Sequence, residues 1–470
     1  MRKCYNEVQV YEMKQIDVIL LWAAAAMLIA IFVLAQPAAA QEEKQSPDKS
    51  PEASSSATIY PAPNYGGDFW SRSYLTGDWG GLRSKLADRG VQFEFNVTQI
   101  YQGIASGGTN RTGRYSGSTD MVLKLDFHKL GLWPGGFLLV EAQVPFGNTV
   151  DPYSGGILPV NTLVSLTAPA IDEFILPHLY FRQYLFDWFA VEIGKLDTTG
   201  GDANEFAHGR GDDKFMNLAF SFNPVAITLA PYAPLGMSLL FFPHKDVDYS
   251  FGVIDSQGLP NTAGFKTLVE DPTTLFHEAR VTVRPFGLTG HQLLGVAWAN
   301  KPFTLLPQDR RTIIRNILFG TPLKTASNNW ALYYNFDQYL YQDKQDRTRG
   351  FGIFFRAGVA NPRTSPYQQF YSFGFGGKGI IPMREQDQFG IGYYYLKFSG
   401  DIPESLRRRL SLDHEQGAEL FYNVEVFPWL HVTPDLQIIS PSRKTLGTPG
   451  NPGRKIQTGV VPALRVKIDF

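Results

Sequence analysis

A chain of 470 residues is too long for one ordinary soluble core but normal for a single large barrel. Its 43 Lys+Arg balance 44 Asp+Glu, which removes the basic excess of a nucleic-acid binder, and 44% apolar residues are too few for a helical membrane protein. Aromatics at 14% and 45 glycines suit many short strands, tight turns and aromatic girdles, a mixture that a soluble β-sandwich would share in part.

Residues 1–40 read as a targeting segment. The run 18–35 is almost wholly apolar, Met13-Lys14 gives it a short charged start, and Ala38-Ala39-Ala40 before Gln41 forms a small-residue cleavage site. A permanent anchor is the alternative, because the run is about long enough to span a bilayer. With cleavage the only cysteine, Cys4, is lost, leaving no thiol, disulfide or thiolate metal site. Residues 41–67 are rich in Ser, Pro, Glu and Lys and form a flexible periplasmic leader, too polar to order itself. Structure is expected to begin near Asp68-Phe69-Trp70 and to run to residue 470. A short helix is predicted over 79–90, ended by Gly90, with Leu82 and Leu86 packed on the periplasmic end of the fold and Trp79 as anchor.

Beyond Val91 the hydrophobic period changes to two. Met121, Leu123, Leu125 and Phe127 alternate with Val122, Lys124, Asp126 and His128. Leu464, Val466, Ile468 and Phe470 alternate with Ala463, Arg465, Lys467 and Asp469, so the first set is expected to face lipid and Arg465, Lys467 and Asp469 the lumen. Sixteen such segments begin near 91, 115, 136, 177, 188, 235, 249, 275, 290, 327, 349, 369, 387, 417, 429 and 459; prolines over 223–235 weaken the sixth. Tight connections (130–136, 186–187, 243–248, 427–428) contrast with long ones (148–176, 197–224, 302–327, 400–416). Short periplasmic turns and long outer loops are the pattern of an all-β, transmembrane antiparallel barrel, here of sixteen strands with a short N-terminal helix.

The nonapeptide Leu75-Thr76-Gly77-Asp78-Trp79-Gly80-Gly81-Leu82-Arg83 resembles the opening signature of the carbohydrate-selective porin family, the OprB type, and Lys85, Leu86 and Gly90 continue the match. Glu419, Tyr422, Pro428-Trp429-Leu430 and Thr433-Pro434-Asp435-Leu436-Gln437 resemble its last hairpin, and 464–470 its final strand. Gly194-Lys195 and 206–222 are similar but less specific. The resemblance covers roughly 68–470 and implies a sixteen-stranded barrel with passive, sugar-preferring diffusion across the bacterial outer membrane. It also makes the terminal aromatic, Phe470, a candidate signal for the barrel-insertion machinery, with interfacial anchoring as its plainer role.

Gly374-Phe375-Gly376-Gly377-Lys378-Gly379 superficially matches a phosphate loop, but it lies on a predicted strand and lacks the Ser/Thr after Lys. Its glycines are expected to thin or kink the wall. The eight histidines show no metal spacing, and no metal or cofactor is expected. On the inward phases fall Glu141, Gln143, Arg182, Glu192, Arg280, Arg284, Arg356, Asn423, Glu425 and Gln437, interleaved with Tyr180, Tyr184 and Phe421. With Lys195 they are the candidate pore lining: charged and amide groups for sugar hydroxyls, aromatic faces for C–H surfaces. The plain alternative is a wall residue paired across a wet lumen. The expected partners are small sugars, outer-membrane lipids and the insertion machinery, without nucleic acid and without enzymatic activity. Two other readings stand beside this one, an outer-membrane lipid hydrolase and an exported carbohydrate-binding sandwich.

Overall fold

The computed structural model describes residues 60–470 except 168–170, 200–201, 257, 259–260, 262–272 and 449–450. The predicted signal segment and most of the leader therefore lie outside the described residues. Sixteen strands form the wall: β1 Val91–Gly103, β2 Gly113–Asp126, β3 Gly136–Gly147, β4 Ile175–Phe186, β5 Phe189–Lys195, β6 Leu235–His244, β7 Val247–Asp255, β8 Thr273–Val283, β9 Gly290–Ala299, β10 Asn329–Gln342, β11 Gly350–Ala360, β12 Tyr367–Lys378, β13 Gln388–Phe398, β14 Glu415–Phe427, β15 Leu430–Ser440 and β16 Gln457–Asp469. Every expected start lies within two residues of the observed one. The sixth strand begins at Leu235, after the prolines rather than among them. Each strand pairs antiparallel with its neighbours, and β16 closes on β1 from Asn96↔Asp469 to Gln102↔Ala463. Closure leaves no sheet edge, which disposes of the sandwich reading.

Alternation explains the wall's two faces. On β14, Glu415, Gly417, Glu419, Phe421 and Asn423 point inward and are buried, while Leu420 between them is 50% exposed. Leu294, Ile353, Phe373, Ile391 and Leu464 stand exposed in the same way around the outside. An apolar belt of this extent is unfavourable in water and suits hydrocarbon. On β16 the phase is as expected. Leu464 is exposed, whereas Arg465 is buried and donates to the carbonyls of Gly211 (2.7 Å) and Lys214 (2.8 Å). Phe470 packs its ring 5.1 Å from Phe95 and donates its amide to the Phe95 carbonyl.

The N-terminal signature folds into a 3-10 turn, Trp79–Gly81, and a helix α1, Leu82–Asp88. Gly80 (φ 68°) and Gly81 (φ 90°) adopt left-handed backbone there, which sets the helix phase. The covered face is consequently Arg83, Leu86 and Ala87. Leu86 packs with Val91, Leu123, Leu125 and Val140. Leu82 is 36% and Trp79 46% exposed, so neither is the packing residue expected of it. Arg83 takes that role: its guanidinium lies 4.4 Å from the Tyr65 ring and 4.0 Å from Tyr74, and Nη2 donates to the Phe93 carbonyl (2.8 Å). Asp78 accepts from the Ser84 amide (2.7 Å) and hydroxyl (2.8 Å). Order also begins earlier than Asp68, because Tyr65 is fully buried and Gln92 of β1 holds the Tyr60 carbonyl at 2.8 Å.

Candidate functional site: the lumen

The described residues of two long outer connections, 148–174 and 196–234, fold inward instead of standing above the barrel. The second crosses the lumen and is stapled to the wall opposite. Its Phe215 and Phe220 pack against Phe354, Phe421 and Tyr394, with ring centroids 4.8 Å apart for Phe215–Phe421. Wall glycines make the room. A side chain at Gly390 would meet the Phe215 ring and one at Gly392 the Phe220 ring, while Gly376 lies under Phe206. Within the phosphate-loop spelling, Gly376 is the glycine that admits a plug ring, whereas Gly374 and Gly377 lie against neighbouring strands of the wall.

Polar staples complete the docking. Glu419 accepts the Met216 and Asn217 amides, the latter at 3.0 Å. Arg356, fully buried, pairs with Asp202 and donates to the carbonyls of Phe220 (3.1 Å) and Ala207. Gln437 accepts from Asn217 Nδ2 (3.0 Å) and donates to the Val160 carbonyl (2.8 Å). Asn423 donates to the Asp213 carbonyl, and Lys467 pairs with Asp212, at 2.7 Å. His208 on this plug is pushed down to about 4 by burial and by the nearby Lys214.

Space remains on the other side. One cavity of about 320 Å³ is lined by His178, Tyr180, Arg182, Glu192, Asp197 and Glu278 among others. A second of about 560 Å³ is lined by Glu94, Asp120, Glu141, Arg210, Asp212 and Lys467 among others. Both include His178 and Asp197 in their walls. Arg210, from the plug, knots that junction: it donates to Glu141 (2.7 Å) and Gln143 (3.2 Å), pairs with Asp197 (3.3 Å) and meets the Tyr232 hydroxyl. Burial opposes its charge, but Tyr232, Asp197, Glu141 and Asp120 hold it firmly protonated.

The predicted lining residues therefore divide. Tyr180, Arg182 and Glu192 line the first cavity, with Arg182 Nε 2.6 Å from Glu192. Glu141 lines the second, and Gln143 is buried beside it under Arg210. Arg356, Phe421, Asn423 and Gln437 point inward as expected but lie buried beneath the plug, so they hold it and line neither of these two cavities. Tyr184 packs on Phe137 and Phe242. Arg280 pairs with Asp248 at 3.4 Å, and Arg284 lies past the end of β8, paired at 2.6 Å with Asp246 in the neighbouring turn. Arg284 is thus a turn residue, because the strand ends at Val283. Buried Lys195 and half-buried Glu425 line neither cavity. Arg210, Tyr232, Asp120 and Asp197 were missed. The length of the 197–224 connection was the one available signal that something enters the lumen.

Known proteins agree with this geometry. The family model described as carbohydrate-selective porin, OprB family, matches residues 110–470. Porin B of Pseudomonas aeruginosa is 23% identical over 406 residues, 78% of this chain and 86% of that protein. The high-pH structure of Pseudomonas putida OprB superposes with a TM-score of 0.73 at 22% identity, covering 86% of this chain and all of that one. Its low-pH structure gives 0.51 at 16% identity over 85% of this chain and 99% of that one. The chain belongs to the carbohydrate-selective porin family of the OprB type, sugar channels of the Gram-negative outer membrane.

Proposed function

We propose that sugars cross through the two cavities, past the Arg210 knot, and that nothing chemical is done to them on the way. The observation that supports this route is the pairing of charged groups with aromatic faces at the cavity wall, Arg182 and Glu192 beside Tyr180. Paired charges satisfy hydroxyl edges without favouring one ionic sign, and a ring offers its face to C–H surfaces. Binding must stay weak enough for release, a Kd of about 1 mM or some 4 kcal/mol. Liposome swelling with a monosaccharide, a disaccharide, an amino acid and an anion of similar size tests the reading. Sugars should outpace the others of equal size, and Arg182→Ala should reduce that preference. A wild-type channel that ranks solutes by size alone would refute it. Outer-membrane lipids around the apolar belt, recognition of Phe470 by the insertion machinery, and a mature start at Gln41 complete the proposal. Mass analysis of the membrane-inserted protein tests the last of these, and normal assembly of Phe470→Ser would exclude the signal.

A further inference from the structure

The leader was expected to be free of the barrel, yet its last residues are not. Tyr60 is held at its carbonyl by Gln92 Nε2 at 2.8 Å, and the same amide reaches the Pro61 carbonyl at 3.3 Å. Gln92 is an inward, buried residue at the start of β1, so the backbone of 60–61 lies inside the periplasmic mouth. The Tyr60 ring meets Phe137 edge-on, 5.6 Å between centroids at 88°, and Lys124 Nζ lies 5.8 Å from its centre. The side chain lies near Tyr180, Arg182 and Glu192, the three side chains that line the first cavity. Five residues on, buried Tyr65 is clamped under Arg83, so the segment is tied at both ends.

We infer that the segment 60–65 is a working part of the channel, with Tyr60 a specificity-determining residue at the periplasmic side of the sugar route. This rests on the route through the first cavity proposed above. Two physical effects follow from its position. A phenol ring beside Tyr180, Arg182 and Glu192 narrows the exit, so larger glycosides are retarded more than monosaccharides. It also adds a second aromatic face next to Tyr180, suited to the C–H surface of a pyranose. Tyr60 lies outside the 110–470 segment that matches the family model.

Single-channel conductance and liposome swelling of the wild type, Tyr60→Ala, Gln92→Ala and Tyr60→Phe test this in the full-length protein. Tyr60→Ala should raise conductance about twofold and speed a disaccharide more than a monosaccharide. Gln92→Ala, which releases the segment by removing its carbonyl contacts, should do the same with the ring intact. Tyr60→Phe keeps the ring and should stay near wild type in conductance. Wild-type conductance and an unchanged disaccharide-to-monosaccharide ratio in both alanine variants would overturn the inference. Monosaccharide entry into wild-type liposomes tests the sugar route separately, since it does not depend on the variants.

Discussion

The walls β4–β8 and β11–β15 obey the same alternation of inward and outward residues, yet one faces open space and the other a packed interior. On the open side Ser238, Ser250 and Glu278 border a cavity. On the closed side Arg356, Phe421 and Gln437 are buried beneath the plug. The difference does not come from the strands alone. It comes from glycines that admit rings from segment 196–234, and from charged groups whose partners are carbonyls and amides of that segment. Inward phase therefore says which residues avoid lipid; a loop decides which of them touch solute.

The comparison breaks most sharply at Arg356. Arg356→Leu leaves Asp202 without its buried partner, a loss of about 3–5 kcal/mol, and should undock the plug while the barrel persists. Conductance should rise and protease should cut within 196–234; wild-type values of both would refute the staple. Next comes the face that both halves share. Val466→Arg puts a cation in the lipid belt at about 2–4 kcal/mol, whereas Lys467→Val loses only the Asp212 pair. Outer-membrane yield should fall for the first and hold for the second, and equal yields would contradict the lipid-facing phase.

Smaller effects sharpen the contrast. Gly392→Val forces the Phe220 ring aside and should cost about 1–3 kcal/mol of plug docking. Ser250→Val in the open half should stay within about 0.5 kcal/mol by thermal unfolding in detergent. A further effect is with pH. His208 near 4 in the plug binds fewer protons than an undocked imidazole near 6.5, so its contribution is complete above pH 6.5. It is lost as pH falls from there toward 4. Amide exchange over 196–234 should quicken across that window, and His208→Gln should reduce the change.

The strands were legible because a bilayer enforces a two-residue period over the whole wall, and that period survives in residues such as Leu464 to Phe470. Its polar face gave the inward direction of Arg182, Glu192 and Arg356 correctly. What could not be read was the depth to which each would be covered. Arg210 sits in a connection with no periodicity, and its partners Glu141 and Asp197 are separated from it only in the sequence, not in space. Helix α1 shows the same limit on a small scale: two left-handed glycines rotate a seven-residue helix, and Arg83 replaces Leu82 at the contact.

The staples between the plug and β16 have a bearing on how the molecule is made. Asp212 and Lys467 are 255 positions apart, and Gly211 and Arg465 are 254. Such distant contacts carry the largest loop-closure cost and form only when the last strand is in place. The same strand closes the sheet on β1. The last part of the docking and the closure of the wall thus share one event. A nascent, unclosed sheet has no channel, and the finished one is already narrowed, so biogenesis need not pass through a wide leak that would drain the cell's envelope.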